Sequence, residues 1–180
     1  MNRRDVLCAL MVLAGAPAAW AHTPYGQWVV YRKKHLLIGA HRADPVTYAL
    51  AKQLTGVLAE HLPGAKSRVA RAPTAQRLAS LIGTGQLDVA VLSPEDAAGM
   101  LKGSGRFEPY GPIALGQLAQ LGSHMLVAHS RLPDRHAWLV AAALHAGAAV
   151  GEKQQPGAGE IPWHPGGLAY LSGKPEPSLQ

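Results

Sequence analysis

Apolar positions along the chain alternate between a period near two and a period near 3.6, and each switch predicts a change of element. His35 to Ala40 reads as a first strand, running into Gly39 and a basic loop. Asp44 suits a helix N-cap, and Pro45 suits the first helical turn, where its missing N–H is not needed. Leu50, Leu54, Val57, Leu58 and Leu62 then share one face of a helix that Pro63-Gly64 ends. Ser67 to Ala72 predicts a second strand. Pro73-Thr74 opens a second helix with Leu78, Leu81 and Ile82 on one face, and Gly83 and Gly85 close it. Leu87 to Leu92 is almost continuously apolar, as expected of a strand covered on both faces. Pro94 to Leu101 predicts a short third helix.

Strands and helices in alternation imply an α/β fold with a parallel-type sheet flanked by helices. The later part of the chain is less regular. Gly103 to Gly116 is rich in glycine and proline and reads as an irregular connection. Leu118 to Ala128 holds one or two strands, with Met125-Leu126-Val127 the clearest. Leu132-Pro133-Asp134 opens a helix carrying Trp138, Leu139, Ala142 and Leu144. Gly147 to Glu160 is small and polar. Lys174-Pro175-Glu176-Pro177 is expected to fray.

The first 21 residues stand apart. Arg3 and Arg4 precede an apolar run from Val6 to Ala16 that is too short to span a membrane, and Ala19-Trp20-Ala21 has the small-x-small form of a cleavage site. This predicts an exported protein cleaved after Ala21 and localised to the periplasm. The arginine pair suits the twin-arginine route. Val6 and Cys8 stand where that signal favours Phe and Lys, so ordinary secretion stays open. Residues 22–34 form an N-terminal lead in which Trp28 to Tyr31 reads as a short strand or a segment lying on the core. Residues 35–173 form one domain, and 174–180 a tail.

Export changes how composition is read. The only cysteine, Cys8, lies in the leader, so thiol and disulfide chemistry is not expected of the mature chain. The chain carries a net charge of +6; the leader's two arginines and one aspartate remove one positive charge on cleavage, leaving +5. In an exported protein this excess points to anionic solutes or surfaces and not to nucleic acid, and a merely soluble surface explains it equally well. Nine histidines raise the question of metal, but no HxxxH or Cys/His cluster occurs. A mature N-terminal His22 would offer its amine and imidazole together to copper, as a weak candidate. There is no G-x-S-x-G, P-loop or G-x-G-x-x-G. The expectation is a binding protein without cofactor, not an enzyme.

In an open α/β sheet, ligands bind outside the carboxyl ends of the strands. Three strand–helix junctions qualify: Gly39 to Tyr48, Ala72 to Arg77, and Ser93 to Asp96. Free N–H groups and the helix dipole favour an anion there, and Arg42 would add a carboxylate clamp. Asp44 filling its own helix N-terminus while Arg42 faces water is the equal alternative. Glu95 and Asp96 read as first-turn dipole partners.

Four stretches carry a resemblance: LLIGAHRADPVTYAL, TAQRLASLIGTGQLDVAVLSPEDA, RLPDRHAWLVAAAL and IPWHPGGLAY. They resemble, in order, segments of the TAXI family, the solute receptors of tripartite TRAP transporters with a type II periplasmic-binding-protein fold. Gly39, Asp88 and the closing His164-Pro165-Gly166 with Tyr170 are the motif positions. The resemblance implies recognition of a small carboxylate solute, and Arg42, Thr47, Tyr48, Thr74, Arg77 and Ser93 are expected to line the carboxyl-end rim where it would bind. It also implies TRAP membrane subunits, or another periplasmic protein, as partners.

The departures are specific. Family receptors have two lobes, and here the second lobe is expected to be missing. Ala40-His41-Arg42-Ala43-Asp44-Pro45 replaces a glycine-rich ligand loop, and Arg77 stands where the family has Asn. These departures motivate an alternative, a one-lobe accessory protein that docks on a periplasmic enzyme or membrane complex.

Overall fold

Asp44 is the residue on which the first helix turns. Its carboxylate accepts the Val46 N–H at 3.0 Å, Pro45 follows it, and helix α1 runs Pro45–His61. Buried Thr47, Ala51, Leu54 and Leu58 recur at helical spacing and face the sheet. This computed structural model describes residues 34–150 and 159–178. The leader with its cleavage site, His22, Trp28 to Tyr31 and most of the Gly147 to Glu160 stretch lie outside them.

The strands are β1 (Leu37–His41), β2 (Arg68–Ala72), β3 (Val89–Leu92), β4 (Leu115–Leu121) and β5 (His124–His129). The further helices are α2 (Ala75–Gly83), α3 (Pro94–Lys102), α4 (Asp134–Ala146) and α5 (Pro165–Leu171). One sheet runs in the order β2-β1-β3-β5-β4. β1 pairs in parallel with both β2 and β3. β5 is antiparallel to both β3 and β4.

The expectation of a parallel-type sheet is therefore corrected to a mixed one. A two-residue turn, Gly122-Ser123 with Gly122 at φ 62°, joins β4 to β5 and forces them antiparallel. β5 then inserts beside β3. Both strands are buried along nearly their whole length, so their apolar runs look the same as those of buried parallel strands. The region expected to be irregular holds a 3-10 segment, Gly105–Tyr110, and the start of β4 at Leu115.

Helices cover both faces. Ile38, Leu54, Leu58, Val91, Leu126, Val140 and Leu144 pack on the α1/α4 side. Leu78, Ile82, Leu92, Met100, Phe107 and Val127 pack on the α2/α3 side. Each such side chain, fully buried, contributes about 1.5–3 kcal/mol. Gly39 permits the second packing: a Cβ there would sit 2.6 Å from Leu78 Cδ1.

The two sheet edges differ. Beyond β4 the chain lays Pro162 to His164 alongside, with Gln117 N donating to the Pro162 carbonyl at 2.8 Å and His164 N to the Gln117 carbonyl at 2.9 Å. β2 has only β1 as a strand neighbour among the described residues, and its Arg68 and Arg71 are exposed. The tail, expected to fray, is held on α4: Arg135 Nε donates to Glu176 at 2.6 Å, and Trp138 Nε1 to the Lys174 carbonyl at 3.1 Å.

Candidate functional site

The strand order reverses at β1. Its successor β2 lies on one side and β3 on the other, so the crevice between β1 and β3 is the topological switch point. At its carboxyl end stand His41, the loop to α1, Ser93 and the first turn of α3. β5, running the other way, brings His124 to the same end, beside the last residue of β4 through the Leu121–His124 pair.

Pairing between β1 and β3 stops at Gly39–Ala90, so the last turn of β1 has no strand partner on that side. Thr47 fills the gap. Its Oγ1 accepts the His41 N–H at 3.2 Å and donates to the Asp44 carbonyl at 2.7 Å. Thr47 is fully buried and its hydroxyl is consumed. It shapes the loop from beneath and does not line a rim.

Two acid–base clusters occupy the crevice. In the first, Asp44 Oδ2 lies 2.7 Å from His124 Nε2, while His124 Nδ1 lies 2.9 Å from Ser123 Oγ. Burial pushes the Asp44 carboxyl up. The hydrogen bonds from His124 and Val46 N, with the charges of His124 and His41, outweigh that and hold it below its ordinary range. In the second, Asp96 is buried and ion-paired with Arg106 from the 3-10 segment, and its Oδ2 is 3.5 Å from His41 Nε2. His41 is also buried, and neither ring nitrogen has a hydrogen bond. An open groove of about 570 Å³ adjoins Asp96 and Arg106 and is bordered by Lys102, Phe107 and Glu160.

The other expected site residues are at the same sheet end but in different employment. Thr74 and Ser93 cap their helices, accepting from Arg77 N and Asp96 N, each at 3.2 Å. Tyr48 lies under the Arg71 guanidinium, 4.4 Å from its ring centre. Arg42 and Arg77 are exposed, and Arg77 Nη1 reaches back to Ser80 Oγ at 3.4 Å.

His41, Arg71, Arg106, Ser123 and His124 were not singled out from sequence, and Asp96 reads there only as a first-turn dipole partner of its helix. The end of β2 could have flagged Arg71 by register. His124 and Arg106 meet their partners across 80 and 10 residues, separations that carry no periodic signal.

Asp88, His164, Gly166 and Tyr170, expected as motif positions, do structural work elsewhere. Asp88 pairs with Arg131 at 2.7 Å at the opposite end of the sheet, where Arg131 also bonds the Ile82 and Leu87 carbonyls. His164 Nδ1 accepts the Gly166 N–H at 3.3 Å and caps α5, which Pro165 opens. Burial lowers the His164 pKa, opposed by the Asp134 carboxylate 3.8 Å away and the Leu132 carbonyl. Gly166 lies against the Asp134 carbonyl, and Tyr170 meets Trp138 edge-on at 5.3 Å.

No protein-family model matches the chain, and no curated protein matches it in sequence. Among the described residues no group of three or more His, Cys, Asp or Glu could hold a metal ion, and no helix is long and apolar enough to cross a membrane.

Proposed function

We propose that this chain is an exported, single-lobe relative of the TAXI solute receptors, and that it recognises a small carboxylate solute at the carboxyl end of its sheet. The observation that carries the reading is the strand-order reversal at β1, which places the N-termini of α1 and α3 and the exposed Arg42 around one crevice. Arg71 beside Tyr48, and Arg77 on the α2 side, extend the positive rim. With one lobe, the solute lies against a rim and keeps much of its surface in water, so affinity is modest. Binding rests on guanidinium–carboxylate pairing and helix termini, without covalent chemistry.

Titration calorimetry with dicarboxylates and acidic amino acids tests this. Binding at millimolar ligand or below, lost in Arg42→Ala, is the expected result. Silence at millimolar ligand for the whole panel overturns it.

One observation favours a second reading, a one-lobe accessory protein docking on a periplasmic enzyme or TRAP membrane subunit. Asp44 and Asp96 already sit at the helix N-termini that a solute anion would use. A photo-crosslinker at Arg42 or Arg71 then captures one defined partner in cells. Capture that is unchanged when the crosslinker is moved to exposed Lys102 refutes this reading.

A further inference from the structure

Ser123, His124 and Asp44 form a continuous hydrogen-bonded chain: Ser123 Oγ to His124 Nδ1 at 2.9 Å, and His124 Nε2 to Asp44 Oδ2 at 2.7 Å. The members come from two distant parts of the fold. Ser123 lies in the β4–β5 turn and His124 opens β5, while Asp44 lies 80 residues before His124 in the loop from β1 to α1. We propose that this chain is a nucleophilic relay able to cleave small acyl esters, with Ser123 as nucleophile, His124 as base and Asp44 as the positioning residue.

Each part has the setting its role requires. Ser123 is exposed on a two-residue turn, where Gly122 at φ 62° turns the backbone sharply and leaves the hydroxyl at the surface. His124 is 8% exposed and held through both ring nitrogens, so its tautomer is set by its partners: Nε2–H toward Asp44, a free lone pair on Nδ1 toward Ser123. Asp44 is itself fixed by the Val46 N–H at 3.0 Å. Its carboxyl, held below the usual range, is ionised at neutral pH and faces the imidazole as an acceptor. The arrangement matches the nucleophile, base and orienter of acyl transfer, with the two imidazole nitrogens exchanged relative to the familiar serine hydrolases.

The reaction balances without a co-reactant other than water. Ser123 Oγ bonds to the ester carbonyl carbon while its proton passes to His124 Nδ1. The bond from that carbon to the alcohol oxygen breaks, and the departing alcohol takes the proton from Nδ1. Water then attacks the acyl-serine, gives a proton to Nδ1, and the acid leaves as Ser123 Oγ recovers that proton. Neither the groove beside Asp96 nor the cavity at the opposite sheet end includes Ser123. Ser123 is exposed on its turn, and the substrate class proposed is esters of small acyl groups such as acetyl, presented at the surface. This assignment rests on the relay alone and stands or falls separately from solute binding.

The test treats the purified full chain with a fluorophosphonate probe and with p-nitrophenyl acetate. A single phosphonyl adduct mapping to Ser123 is expected, absent in Ser123→Ala. His124→Gln slows labelling by about 100-fold or more, within the range a general base contributes. Asp44→Asn keeps the helix cap, since Asn caps as well as Asp. It lowers kcat for p-nitrophenyl acetate at least tenfold with KM unchanged. Labelling at another residue, labelling that His124→Gln leaves unchanged, or no labelling of a chain whose thermal transition is intact overturns the proposal. Equal kcat in Asp44→Asn removes Asp44 from it.

Discussion

Two regions of this molecule bury histidines in opposite ways. At the carboxyl end of the sheet, His124 and His41 each face a carboxylate, Asp44 at 2.7 Å and Asp96 at 3.5 Å. In the closing segment, His164 is 1% exposed, and its nearest acid, Asp134, is 3.8 Å away and largely in solvent. The first region assembles groups that can exchange protons. The second uses the imidazole as a neutral acceptor that caps the start of a helix. The closing segment serves packing, whereas the loop from β1 to α1 carries the ionisable groups.

Gly166→Ala should separate the two most sharply. A Cβ there overlaps the Asp134 carbonyl, so α4 and α5 must move apart, at a cost of about 3 kcal/mol. Urea unfolding should show this loss, while the fluorophosphonate reactivity expected at Ser123 persists below the transition. Asp96→Ala should cost about 2 kcal/mol, because it leaves His41 buried without its acidic neighbour and frees Arg106. The loss should be smaller than in a fully buried pair, since Arg106 is half-exposed and regains water. Asp44→Ala should cost about 1 kcal/mol through the lost cap, and Asp44→Asn only a fraction of that, read from the same unfolding midpoints.

The smallest effect is in pH. A histidine whose folded pKa is lowered binds fewer protons folded than unfolded, so stability is complete above about pH 6.5 and falls as pH drops through that value. Protonation would also remove the Nδ1 lone pair that caps α5. Burial lowers His129 and His145 in the same direction, with Arg131 adding to the effect at His129 and Asp88 opposing it. Thermal midpoints between pH 7.5 and 5.5 should therefore fall, and fall less steeply in His164→Asn, by under about 1.4 kcal/mol per pH unit. An identical slope in the variant would assign the titration to the other two histidines.

Much of this architecture is written locally. Asp44-Pro45, Thr74 and Ser93-Pro94 announce their helices because a cap needs only its own next three residues. The β4–β5 hairpin was legible as strands but not as an antiparallel insertion, since burial on both faces erases the alternation that marks a hairpin. Thr47 was expected at the rim and is buried, because whether a hydroxyl is free depends on where β1 and β3 stop pairing. Asp96 read as a first-turn acid; its burial depends on Arg106, reached only through the 3-10 segment. The acid–base clusters were hidden for the same reason: their partners are set by the fold and not by spacing.

The uneven edges of the sheet have a consequence for self-association. On one side, Pro162 to His164 take up the bonding positions of β4 that another chain would need. On the other, β2 is open to pairing among the described residues, but two copies meeting there would set Arg68 and Arg71 of one against the same guanidiniums of the other. The open edge is thus guarded by charge where the far edge is guarded by cover. Acidic polymers or high salt, which would mask those arginines, are the conditions under which this chain should begin to assemble sheet to sheet.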